Sequence, residues 1–305
     1  MILLKPTLPP LWYPQSKEGI ADFFRTIRDD QAMPYGQAGN SGVFPQPMAA
    51  ADAPKAVSSP PAGIAAVAPH AGWYYSGAIA ARAVGSLRQD ADTIAVIGGH
   101  LPAGYPPLMA EADCVQTPLG IIAIDAEFQE LLRSRLQAKP DRESDNTVEV
   151  LLPMVHYFFP HAKILHLRLP NGAVSFEIGK LLSELGEQLE RNLAVLGSSD
   201  LTHYGSAYRF TPQGVGAAAL EWVKTVNDWQ LIQAVIAGDP ALLLRRAQED
   251  RSACSVGAIL GCLGFAQSRN CSPARLLAYG TSADISGETD QAVGYGAFAW
   301  VKAGQ

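Results

Sequence analysis

Short apolar runs alternate with helix-period segments through most of this chain, and no other feature limits its fold as strongly. Residues 64–69, 93–97, 163–169, 193–196 and 275–279 read as buried strands. Between them, residues 76–87, 126–136, 175–189, 215–237 and 255–265 repeat apolar side chains at helical spacing. Buried strands separated by helices argue for parallel pairing, because a parallel strand is reached only through a crossover. The fold class expected is therefore α/β, with a mostly parallel central sheet flanked by helices on both faces. The segment "CVQTPLGIIAID" at 114–125 alternates around a Pro-Leu-Gly turn and reads as a hairpin appended to that sheet.

A chain of 305 residues accommodates this as a single α/β domain spanning 1–305. Residues 16–28 carry Ile20, Phe23, Phe24 and Ile27 at helical spacing behind Ser16, a suitable N-cap. A Pro/Gly/Ala-rich stretch at about 29–63 shows no period and reads as a surface loop or insertion. A net charge of -6, with no basic run longer than Arg245-Arg246, argues against nucleic acid as a partner. No apolar stretch approaches the roughly 20 residues needed to cross a bilayer, so no membrane partner is expected. Prolines break the opening "MILLKPTLPPLWYP" before a signal-peptide core forms, so a cytoplasmic location is expected. Cys114, Cys254, Cys262 and Cys271 show no CxxC spacing and read as thiols.

Ligands of open α/β sheets sit beyond the carboxyl ends of the strands, where loops converge and helix amino termini point into the crevice. That rule selects His70 after the first core strand, His100 after "TIAVIGG", and Asp200 and His203 after "LAVLGSS". It also selects Ser282 and Asp284 after "LLAYGTS". Cys254 joins them, because "SACSVGAILGCLGF" reads as a helix starting near 253–255, and the dipole there favours thiolate. Two imidazoles and a thiolate form a workable set for one divalent transition metal: imidazole suits Zn, Fe and Cu, and thiolate favours the softer ions. Asp200 and His203 then serve as acid/base groups or orienting partners, or one of them replaces a ligand.

Each of these residues has a plainer use. A single histidine at a strand end most often bonds the backbone, and a single cysteine is often a small core residue, which suits Cys262. His156, His161 and His166 fall at intervals that put no pair on one helix face and read as core or surface groups. Glu149 sits beside an apolar run and reads as a paired carboxylate near the site. Trp73, Tyr74 and Tyr75 more often pack a core than line a substrate wall. The absence of GxSxG and Walker glycine motifs disfavours serine-hydrolase and nucleotide readings.

"APHAGWYYSG" at 68–77 and "SSDLTHYG" at 198–205 closely resemble the signatures of the Memo family. Its bacterial and archaeal members are called AmmeMemoRadiSam system protein B, and the family is similar in fold to the class III extradiol (LigB-like) dioxygenases. Weaker matches at "LWYP", "VEVLLP", "TSADISG" and "AVGYGAFAW" extend the resemblance from Leu11 to Trp300. It implies His70, His100 and Cys254 as metal ligands, with Asp200 and His203 as further site residues and His203 as the acid/base group. The activity implied is a non-haem, dioxygenase-like oxidation of a small chelating substrate, with Fe(II) favoured and Zn or Cu allowed. Trp73, Tyr74 and Tyr204 are then candidate substrate-binding residues. Two alternatives use the same cleft: a non-catalytic module that binds a peptide or protein, and a Zn-dependent hydrolase. The resemblance also implies a radical-SAM protein and an AMMECR1-domain protein as partners. Three positions depart from the family pattern. Asn146 stands where a histidine is usual, Leu101 follows His100 where a second histidine is frequent, and Gly257 falls in a stretch that lacks the usual CG-x-H-P.

Overall fold

The computed structural model describes residues 1–29 and 63–302; the loop or insertion expected at 29–63 lies, apart from its two ends, outside the described residues. Four apolar strands form the parallel heart of a nine-stranded sheet, in the order Gly63–Ala68, Leu193–Ser198, Thr93–Leu101 and Lys163–Pro170. Ala292–Val301 runs antiparallel beside Gly63–Ala68, and Arg275–Thr281 and His203–Tyr204 pair with it in turn. Beyond Lys163–Pro170 the sheet continues through the short strands Leu108–Ala110 and Lys139–Asp141.

Period-two alternation divides each central strand between two cores. Ala66, Ala68, Ile94 and Val96 face one side, where the helices Trp73–Gly85 and Leu152–Phe158 pack. Ala65, Val67, Ala95 and Ile97 face the other, under Val174–Gln188, Asp228–Ala237 and Val256–Ser268. Both faces are apolar because both are covered, which is why these strands read as near-continuous hydrophobic runs. The helix Lys17–Asp29 closes the first side: Ser16 Oγ accepts from Gly19 N at 3.0 Å, Ile20 is fully buried, and Phe24 stacks on Tyr157 at 3.9 Å.

Two expectations are corrected and one strand is added. The hairpin at 114–125 does not extend the central sheet. Its strands Cys114–Thr117 and Gly120–Ala123 instead join Leu3–Leu4 in a separate three-stranded sheet, and the segment meets the central sheet only through an isolated bridge between Ile124 and Ile164 among the described residues. The helix expected over 215–237 is broken into Ala217–Trp222, a π-turn at Val223–Asn227, and Asp228–Ala237. The wider turn places Asp228 fully inside the protein. Ala292–Val301, buried along its whole length, is a strand beyond those read from the sequence; its two glycines and three alanines weaken the β signal.

The helix Val256–Ser268 is apolar on all sides and almost wholly buried. It meets Val174–Gln188 through glycines: a Cβ on Gly264 would sit 2.0 Å from Phe176 O, and one on Gly179 would sit 2.0 Å from Gly261 O. Close backbone packing thus fixes the helix that begins directly after the Cys254 loop. Gly264→Ala is expected to cost about 1–3 kcal/mol through overpacking, whereas Gly172→Ala, whose Cβ would meet nothing within 4 Å, should be nearly neutral. Thermal unfolding of the two variants checks this.

Candidate metal centre

The four parallel strands all deliver polar side chains to one edge. His70 and Asp200 each lie two residues beyond their strands, Asn171 lies directly after Pro170, and His100 occupies the end of its own strand. The last is possible because register is lost between Gly98 and Leu101, leaving His100 at a bulge with φ +59°. A bulge re-aims its side chain, and here it turns the imidazole toward its neighbours. The paired glycines before it permit close approach: a Cβ on Gly99 would fall 2.3 Å from Ser255 Oγ, and one on Gly98 would fall 2.1 Å from Thr147 Oγ1.

Cys254 reaches the same point from the opposite side, immediately before Ser255, the N-cap of the glycine-packed helix. Its loop is clamped on both flanks. Cys254 N donates to Asp200 O at 3.3 Å, Asn171 Nδ2 donates to Cys254 O at 3.1 Å, and Ser255 N donates to Ser199 Oγ at 3.2 Å. Ligating atoms of His70, His100 and Cys254 consequently lie within 4.8 Å of one another, with Cys254 Sγ 3.3 Å from His70 Nε2. Each imidazole is oriented through its other nitrogen: His70 Nδ1 bonds Ser198 Oγ at 3.0 Å and His100 Nδ1 bonds Asp145 Oδ2 at 3.0 Å. That arrangement directs both Nε2 atoms inward, as a ligating histidine requires. His203 completes the ring, 3.7 Å by Nε2 from Asp200 Oδ2, and this buried nitrogen has no hydrogen-bond partner among the described residues.

Electrostatics bind the cluster together. Burial pushes the Cys254 thiol up, yet His70, His100 and His203 outweigh it and hold the group well below the ordinary thiol range. Burial pulls the imidazoles down, but Asp145 and Cys254 raise His100 to about 10, and Asp200 and Cys254 raise His203 to about 10. His70 is raised too, against its burial, by Asp200 and Cys254. A thiolate among imidazoles that are themselves backed by the Asp145 and Asp200 carboxylates demands positive charge, which protons or one metal cation can supply. The donor set, its spacing and the orphaned His203 nitrogen fit a single transition-metal ion.

Asp145, Arg168 and Asp228, which the sequence did not single out, hold this geometry together with Asn146, which it did. Burial raises Asp145, but His100 and Thr147 outweigh it and keep the carboxyl well below its usual range. The buried Arg168 guanidinium lies 3.3 Å from Asp145 Oδ2 and donates to Gly99 O at 3.1 Å. Asp228 braces the turn between Asp200 and His203 by accepting from Thr202 N at 3.0 Å, and burial raises its carboxyl to about 6. A Cβ on Gly294 would sit 2.0 Å from Asp228 Oδ2. Asn146 Nδ2 donates to His70 O at 3.0 Å and so also holds the site. Glu149 anchors the amino-terminal segment by accepting from Thr7, Leu8 and the Tyr13 hydroxyl.

The cluster floors a cleft of about 520 Å³ lined by Trp12, Tyr74, Tyr75, Asn146, Tyr208 and Ser282, among others. Two of the expected wall residues face elsewhere. Trp73 is 4% exposed, packs on Phe23 and Phe24, and donates through Nε1 to Val150 O, whereas Tyr74, one helical step on, is 70% exposed at the cleft. Tyr204 alternates with His203 along a strand and therefore points the other way, fully buried, with its hydroxyl donated to Gly214 O. Tyr208 takes the place expected of Tyr204, its ring 5.0 Å from that of His203. Asp284 caps a short helix by accepting from Thr281 N, and pairs with Lys224.

Fold and site together define an α/β protein with a two-histidine, one-cysteine cluster at the carboxyl edge of its parallel strands. The Memo-like protein family model matches residues 6–299, and the chain belongs to the Memo family. Among its relatives, a MEMO1 family protein of Methanosarcina mazei is 32% identical over 239 residues, covering 77% of this chain and 84% of that protein. One from Pyrococcus abyssi is 31% identical over 248 residues, covering 76% and 84%. One from Thermococcus onnurineus is 28% identical over 255 residues, covering 78% and 87%. Among solved structures, an uncharacterized protein from Escherichia coli K12 aligns over 75% of this chain and 98% of its own, with a TM-score of 0.41 and 14% identity.

Two outcomes test the centre. A divalent ion must displace the protons of His70 and His100, so binding releases protons, and affinity rises as pH climbs from 6 toward about 10. Calorimetry in buffers of different ionisation enthalpy measures this. Asp145→Asn, which weakens the hold on His100, should reduce metal affinity about 10- to 100-fold, and Cys254→Ala should reduce it further, as read by competition with a metal indicator.

Proposed function

We propose that this protein is a metal-dependent oxidoreductase acting on a small chelating substrate, with Fe(II) the favoured ion at His70, His100 and Cys254. Zn and Cu suit the same donors, and elemental analysis of protein purified without added metal decides among them. The observation that carries the reading is His203, whose buried Nε2 makes no hydrogen bond among the described residues and lies 3.7 Å from Asp200 Oδ2, beside three inward-facing donors at the floor of an open cleft. A bound ion supplies Lewis acidity and, for iron, one-electron chemistry. The chain supplies the rest. His203 Nε2 gives or takes the substrate's proton, and the Asp200 carboxylate stabilises the imidazolium form. Tyr208 and Tyr75 border the cleft and give a planar ligand apolar surface to rest against. A volume near 520 Å³ suits a small molecule.

Leu11 and Tyr74 favour a second reading, because both are strongly exposed at the mouth of the same cleft and would suit a bound peptide without any chemistry. His203→Gln separates the two. For an oxidoreductase, the variant keeps its metal while oxygen uptake with catechol as probe falls about 10²- to 10⁴-fold. An oxygen electrode and metal analysis read the result. Wild-type ferrous protein that neither consumes oxygen nor binds catechol defeats the enzymatic reading.

A further inference from the structure

Charge is distributed unevenly between the floor and the mouth of the cleft. On the floor, the imidazoles or a metal ion lie among Cys254, Asp145 and Asp200, so positive and negative groups answer one another. The mouth differs. Glu288 lines it, and its Oε2 accepts from the neutral Gln291 amide at 2.5 Å. Neither Lys nor Arg is among the described residues that line the cleft. The nearby Arg251 is engaged by the carbonyls of Arg209 and Tyr208 and lies over the Phe210 ring at 4.9 Å. Lys224 is paired with Asp284. At the mouth, an anionic group on a ligand would therefore meet a carboxylate and no Lys or Arg among the described lining residues.

Aromatic rings reinforce the same preference. Trp12, Tyr74, Tyr75 and Tyr208 line the cleft, and ring faces attract ammonium groups through their quadrupoles. The potential at Tyr208 agrees: after burial, the charges of Asp200 and Glu288 push its hydroxyl up. We infer that the cleft selects ligands with a chelating head and a protonated amine at the far end, and that Glu288 sets this preference. The inference rests on the chelating-substrate reading and adds to it a substrate class, cationic rather than carboxylated, and a specificity-determining residue.

Three catechols of matched length test it: 4-ethylcatechol, its aminoethyl analogue dopamine, and the carboxylate 3,4-dihydroxyphenylacetate. Each is titrated calorimetrically into anaerobic ferrous protein at low salt. The wild type should bind dopamine about 3- to 10-fold more tightly than 4-ethylcatechol, and the carboxylate more weakly than either. Glu288→Gln should bring dopamine close to 4-ethylcatechol while leaving the affinity for 4-ethylcatechol unchanged, and Glu288→Lys should favour the carboxylate. Rising salt should shrink the wild-type ratio. If the three compounds bind equally, or if Glu288→Gln leaves their ratios intact, charge selection is overturned and the chelating site stands. If none binds, the chelating-substrate reading falls and this inference falls with it.

Discussion

A thiolate held among imidazoles is the interaction on which this site depends. Burying one sulfur charge without partners would be prohibitive, and the chain meets that cost by drawing His70, His100 and His203 around Cys254. Two carboxylates behind the imidazoles then shape the field: Asp145 orients His100, and Asp200 lies against both His70 and His203. The result is a compact charge cluster with the spacing to hold one cation, beside an imidazole nitrogen that makes no hydrogen bond among the described residues.

Such a cluster needs a rigid frame, and glycine provides much of it through close backbone approach. Gly98 and Gly99 bring one strand against Thr147 and Ser255, while Gly179 and Gly264 seat the helix that follows Cys254. The same helix packs against the sheet over its full length, so the position of the sulfur is tied to the core. On the other side, Asp228 reaches the Asp200–His203 turn because a π-turn rotates it inward, into space that Gly294 leaves open. Stability and function therefore share residues here: the groups that position the site are also those that close the core beside it.

Much of the site was legible in the sequence. His70, His100, Asp200 and His203 follow strands whose carboxyl ends converge by a general rule of parallel sheets, and Cys254 announces itself at a helix start. The aromatic wall was less legible. Trp73 and Tyr74 differ by one helical step, about 100° of rotation, and only packing against Phe23 and Phe24 selects which of them turns inward. Tyr204 stands beside His203 in the chain yet on the opposite face of its strand. Tyr208 and Glu288 carry no local signal for the cleft, because the loops that bring them there meet through tertiary contacts.

The sequence by itself determined the fold class, the alternation of buried strands and covering helices, and the residue types at the strand ends, because these follow from periodicity and chain direction. Tertiary structure decided which edge the hairpin joined, which aromatic rings face the cleft, and how Asp145, Arg168, Asn171 and Asp228 brace the cluster. Those outcomes depend on contacts between segments far apart in the chain, and hydrophobic periodicity records only whether a residue is buried, not which distant partner it meets.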